Sequence, residues 1–100
     1  MVKVRNVVWG RLARADLRSA FNYIKRDSLL QAEKVSDDLR AAIRDLPSHP
    51  HMYPADKYKK SNNGNFRAFE MHNFRISYAI INETILVLKI RHVKQEPKEY

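Results

Sequence analysis

One hundred residues carry 19 Lys+Arg against 11 Asp+Glu, a formal charge of +8, with no cysteine. That length sets one compact domain, residues 1–100, as the expectation, too small for a deep enzyme cleft, so function is expected on an exposed face. The missing thiols exclude a disulfide framework and a thiolate zinc site, and the charge excess calls for a polyanionic partner, nucleic acid or an acidic protein segment. No apolar run approaches the roughly 20 residues that span a bilayer. The first residues lack the apolar core of a signal peptide, so a soluble cytoplasmic protein without membrane association is expected.

In chain order, residues 3–9 are rich in valine, end in Trp9 and read as a strand that Gly10 breaks. Residues 11–26 read as a helix, because Ala13, Leu17, Ala20, Phe21 and Ile24 form one apolar stripe. Arg11, Arg14, Arg18 and Lys25 lie off that stripe. Asp27 and Ser28 supply a stop and an N-cap. A second helix over 29–46 carries Ala32, Val35, Leu39, Ala42, Ile43 and Leu46 at helical spacing, and Pro47 ends it. Two stripes joined by so short a turn imply an antiparallel helical hairpin.

Residues 47–64 form a loop, punctuated by Pro47, Pro50, Pro54 and Asn63-Gly64. It is long for so small a protein, which favours a functional or mobile segment. Three strands follow over 65–72, 74–82 and 84–91, with tight turns at His72-Asn73 and Asn82-Glu83. Phe74, Ile76, Tyr78 and Ile80 alternate with a more polar set, and Leu86, Leu88 and Ile90 are read as one face of the last strand. Residues 92–100 are a charged tail. The pattern is α+β: a small antiparallel sheet in the order β-α-α-β-β-β, with a two-helix hairpin packed on one face.

Several segments, taken in order, carry a resemblance over nearly the whole chain. Ala13 to Leu17, Leu46-Pro47 with His49-Pro50, Asn65-Phe66-Arg67, Phe74 to Tyr78, and Ile90-Arg91-His92 with Glu96-Pro97 and Tyr100 resemble the successive elements of RelE/ParE superfamily toxins. The long helical hairpin and His92 place the chain nearer the ParE branch. The resemblance implies the toxin of a type II toxin–antitoxin pair, neutralised by a small antitoxin. ParE-type members poison DNA gyrase without catalytic chemistry of their own. RelE-type members cut mRNA on the ribosome. A nucleic-acid or protein-binding module without toxicity is the third reading.

Metal-free RNA cleavage needs a base for the 2′-hydroxyl, cations for the phosphorane and an acid for the leaving oxygen. If the chain is a ribonuclease, the resemblance assigns such roles to Tyr100 and Lys94, and His92 or His72 is a candidate for a missing acid or base, because histidine titrates near neutrality. The family's central-strand arginine has no counterpart, since Met71 or His72 stands there. His92, at the end of an apolar strand, reads equally as a packed histidine. Lys57, Lys59 and Lys60, interleaved with Tyr58, are the expected electrostatic footprint for nucleic acid or target, or else a solvated turn. Arg67 and Arg91 are further contacts for a phosphate or target, whereas Arg75 reads as a structural ion pair as readily as a ligand contact. His49 and His51 lack a carboxylate partner, so neither a metal nor a cofactor is expected. The charge predicts an acidic antitoxin segment lying across the exposed sheet face or along the helices.

Overall fold

A computed structural model describes residues 6–95 and 98–100. The elements run β1 (Asn6–Trp9), α1 (Arg11–Lys25), α2 (Leu29–Arg44), a 3-10 turn (Leu46–Ser48), β2 (Phe66–Met71), β3 (Phe74–Ile81) and β4 (Thr84–His92). Residues 3–5 of the expected first strand, and Glu96-Pro97 of the tail, lie outside the described residues.

Both helices form on their apolar stripes. Ala13, Leu17 and Ala20 of α1, and Ala32, Val35, Leu39 and Ile43 of α2, are buried. Ser28 caps α2, its hydroxyl accepting from Gln31 N–H at 3.1 Å. The second helix stops at Arg44, earlier than the pattern suggests, because Leu46-Pro47 turns into the tighter 3-10 geometry and seats Leu46 in the core.

The sheet order is β1-β4-β3-β2. β2, β3 and β4 form the expected antiparallel meander, but β1 joins β4 in parallel, so the sheet is mixed rather than wholly antiparallel. The helical hairpin makes the difference. It carries the chain out and back between β1 and the meander, and the segment after it must then return to the start of β2. That segment runs antiparallel beside the free edge of β2, where Ala55 bridges Arg67.

At Gly10 the chain passes close to β4: its N–H donates to Val87 O at 2.9 Å, and a Cβ there would lie 2.9 Å from the same oxygen. Beyond Val87 the edge of β4 that faced β1 has no strand beside it among the described residues, and there Asp16 of α1 accepts from the Ile90 N–H at 2.9 Å.

One face of the sheet, bearing Ile76, Tyr78, Ile85, Val87 and Ile90, packs against the helices. The expected alternation of β3 holds, but that of β4 changes phase. Ser77 pairs with Lys89 while Tyr78 pairs with Val87, so Leu88 is an extra, bulged residue. The inward set is therefore Ile85, Val87 and Ile90, not Leu86, Leu88 and Ile90. The β2–β3 turn has both central residues at positive φ, His72 at 52° and Asn73 at 66°, the backbone of a tight two-residue hairpin. His72 Nε2 meets Asp38 of α2 at 2.7 Å, tying the turn to the helices.

Candidate functional site

The sheet face turned away from the helices carries the site. Pairing in register puts Ala68 of β2 beside Ser77 of β3, which in turn faces Lys89 of β4, and sets Arg75 opposite Arg91. The long loop and the tail fold over this face. Asn62 fixes the loop: its side-chain amide donates to Asp56 O and Phe66 O and accepts from Gly64 N–H and Phe66 N–H. Between loop, tail and sheet lies a cavity of about 390 Å³, with Phe66, Leu12 and Leu88 as apolar lining and Arg75, Lys89, Arg91 and Lys98 as cations.

At its base sits Asp56, the one buried charged residue among those described, 2% exposed. Its Oδ1 takes the Arg75 guanidinium at 2.8 Å and the Tyr58 N–H at 3.0 Å, and its Oδ2 accepts the Tyr100 hydroxyl at 2.7 Å. The Arg75 guanidinium also lies over the Tyr58 ring, 4.9 Å from its centre, and reaches Glu70 at 3.4 Å. Burial alone would raise the Asp56 carboxyl, but the hydrogen bonds from Tyr100, Tyr58 N–H and Arg75, with the Arg75 charge, outweigh it and hold the group below its ordinary value. Tyr100 is pushed the other way, first by burial and then by donating to the Asp56 carboxylate, so its proton is held more tightly than in a free tyrosine.

The residues expected to cleave RNA are not gathered in one place. Tyr100 is fixed on the outer face: its N–H donates to Tyr58 O at 3.0 Å, its carbonyl accepts from Lys60 N–H at 2.6 Å, and its ring meets Phe66 edge-on. His92 points to the helix side, against Phe74 with ring centres 5.4 Å apart, and its Nδ1 accepts from Lys94 N–H. Lys94 is exposed beside it, and the two line a depression with Asp16 and Tyr23 of α1; His92 also borders a smaller hollow with Tyr58, Arg75 and Arg91, but neither it nor Lys94 lines the Tyr100 cavity. His72 is at the hairpin turn, engaged by Asp38.

The expected binding residues also divide. Lys59 lies over the rings of Phe66 and Tyr100, at 4.8 and 5.4 Å from their centres, and donates to Lys60 O. Lys57 lies over Tyr58, and Lys60 pairs with Glu99 at 3.7 Å; both are exposed. Arg91 lines the cavity beside Arg75. Arg67, expected to meet a phosphate, has its guanidinium on the chain's own carbonyls: Gly64 O at 2.9 Å, Tyr53 O at 2.6 Å and His51 O at 3.5 Å. It clamps the loop to β2. Asp56, Lys89 and Lys98 were missed in the sequence. The signal for Asp56 was its position: a lone carboxylate before Lys57, Lys59 and Lys60, after Pro54, is a ready partner for a cation.

Residues 7–97 match the family model for the ParE toxin of the type II toxin–antitoxin system, parDE, and the chain belongs to that family. Compared by sequence with curated proteins, the chain matches none. Its fold is similar to that of a chain from the chromosomal ParDE TA system from P. aeruginosa, with a TM-score of 0.70 and 18% identity over 90% of this chain and 97% of that one. YoeB from Staphylococcus aureus, solved as a dimer, aligns with a TM-score of 0.57 and 14% identity over 89% and 97% of the two chains. A chain of the toxin–antitoxin complex RelBE2 from Mycobacterium tuberculosis aligns with a TM-score of 0.54 and 18% identity over 92% and 93%. At these identities the likeness is one of fold.

Proposed function

We propose that this ParE-family toxin arrests growth by binding DNA gyrase, using the outer sheet face with its cavity and basic loop, and that a cognate antitoxin neutralises it. The observation that carries the binding mode is the separation of Tyr100 from His92 and Lys94. The tyrosine is bonded to the buried Asp56 carboxylate over the outer face, while the histidine ring lies against Phe74 and, with Lys94, lines a depression against α1. Acid–base cleavage needs its groups within hydrogen-bond reach of one phosphodiester. A tyrosine whose proton is held more tightly is a poor general acid. A binding toxin needs only a shaped, charged surface, and Lys57, Lys59, Lys60, Arg91 and the cavity provide one.

A second reading keeps a specific support. Lys59, Arg75, Lys89, Arg91 and Lys98 stand around Tyr100, and such a set of cations suits an RNA phosphate. Induced expression of the wild type and of Tyr100→Phe separates the two. A gyrase-binding toxin induces the DNA-damage response, leaves mRNA half-lives unchanged and keeps its toxicity in Tyr100→Phe. An mRNA endonuclease shortens half-lives and loses that effect in the variant. Absence of any growth defect would leave a module without toxicity.

A further inference from the structure

The turn that follows the 3-10 segment carries three metal-donor side chains that the fold leaves unengaged. Met52 N–H donates to His49 O at 3.1 Å, closing a turn over His49, Pro50, His51 and Met52. The backbone of this turn is tied down at several points. The buried Tyr78 donates its hydroxyl to Pro50 O at 2.9 Å, and the Arg67 guanidinium donates to Tyr53 O at 2.6 Å and His51 O at 3.5 Å. Tyr53, next along the chain, stacks on Phe69 with ring centres 4.3 Å apart. The side chains of the turn stay outside. His49, His51 and Met52 are exposed, Met52 by 55%, and neither imidazole makes a hydrogen bond or ion pair among the described residues. With Pro50, these three line one shallow hollow, which shares no residue with the Tyr100 cavity.

We propose that this turn binds a soft monovalent metal ion, copper(I), through the His49 and His51 imidazoles and the Met52 thioether. Two histidines without a carboxylate are a poor site for most cations, and no three His, Cys, Asp or Glu side chains gather for a metal among the described residues. Zinc sites draw three or four protein ligands from those residue types. A thioether changes the chemistry, because soft sulfur donors select copper(I) and imidazole also suits copper. The exposed Met52 is then a ligand rather than a misplaced core residue. Charge favours the same ion. The Arg67 guanidinium beneath the turn repels a cation in proportion to its charge, and no carboxylate lines the hollow to offset it. A monovalent ion is opposed half as strongly as a divalent one. The turn is also preorganised. Its carbonyls are already fixed by Tyr78 and Arg67, so binding has only the three side chains to order.

The test titrates the untagged chain anaerobically with copper(I), in competition with a chromophoric copper(I) chelator, and separately with zinc(II). The expected result is a single copper(I) per chain, with zinc(II) bound about tenfold more weakly or less tightly still. His49→Gln with His51→Gln should weaken copper(I) binding about tenfold or more, as loss of metal ligands does. Met52→Leu, a swap of similar volume at an exposed position, should weaken copper(I) about tenfold and leave zinc(II) unchanged. His72→Gln, whose ring is engaged by Asp38 at the hairpin turn, should change copper(I) binding less than about twofold. Thermal melts confirm that each variant is folded. Copper(I) binding that survives either change in the turn, or that falls equally in His72→Gln, overturns the proposal. So does zinc(II) binding as tight as copper(I), or no copper(I) binding at all. The assay reads metal affinity alone, so its outcome is independent of the toxin reading.

Discussion

Replacing Asp56 with alanine would leave the Arg75 guanidinium, 16% exposed, with Glu70 at 3.4 Å as its remaining carboxylate. Removing one partner of a largely buried pair costs about 3–5 kcal/mol, and the Glu70 contact places the expected loss near the lower end. Urea unfolding of Asp56→Ala measures it. The pH dependence follows from the lowered carboxyl. A group with a depressed native pKa contributes stability that is complete above its unfolded value, here the ordinary 3.8, and lost as pH falls toward the native value. The difference in stability between wild type and Asp56→Asn should therefore be constant from neutrality to about pH 5 and shrink below about pH 4. Tyr100→Phe removes a hydroxyl that donates to the same carboxylate at 2.7 Å, and should cost about 1.5–3 kcal/mol in the same assay. At this scale the sequence was least informative. Nothing local to Asp56 shows that Arg75 and Tyr100, at separations of 19 and 44 residues, converge on it. Arg67 likewise looks like any basic strand residue until the loop folds back and offers its carbonyls.

The strands and helices were far more legible, because their periodicities are local. Both helical stripes, the Ser28 cap and the two hairpin turns follow from residue spacing and turn chemistry. Two features did not follow. The bulge at Leu88 adds a single residue, and every position after it changes face, so no alternation read along β4 alone can be right on both sides of it. The parallel placement of β1 depends on how the hairpin returns the chain, a long-range property. Gly10 gives this junction a test. A Cβ would meet Val87 O at 2.9 Å, a backbone atom that cannot turn aside. Gly10→Ala should lower stability by about 1–3 kcal/mol, as other overpacked sites do. Ser28→Ala, with only its hydrogen bond to Gln31 N–H to lose, should cost about 1 kcal/mol. Thermal melts of the two variants check both values.

For the whole molecule, nine of the 19 Lys+Arg gather on two surfaces. The outer face holds Lys57, Lys59, Lys60, Lys89, Arg91 and Lys98 around the loop and cavity, and the hairpin holds Arg14, Arg18 and Arg40. Total charge showed that a polyanion or acidic partner fits. Only the fold shows which of these cations share the outer sheet face and which share the helical hairpin. Among the described residues, no helix is long and apolar enough to cross a membrane. The central claim is that the toxin acts by binding gyrase rather than by cutting RNA. The direct measurement is supercoiling by purified DNA gyrase in the presence of this chain and its Tyr100→Phe variant. The account predicts dose-dependent inhibition by both, with similar potency. Full supercoiling activity at every toxin concentration, together with cleavage of mRNA on ribosomes that Tyr100→Phe abolishes, would contradict it.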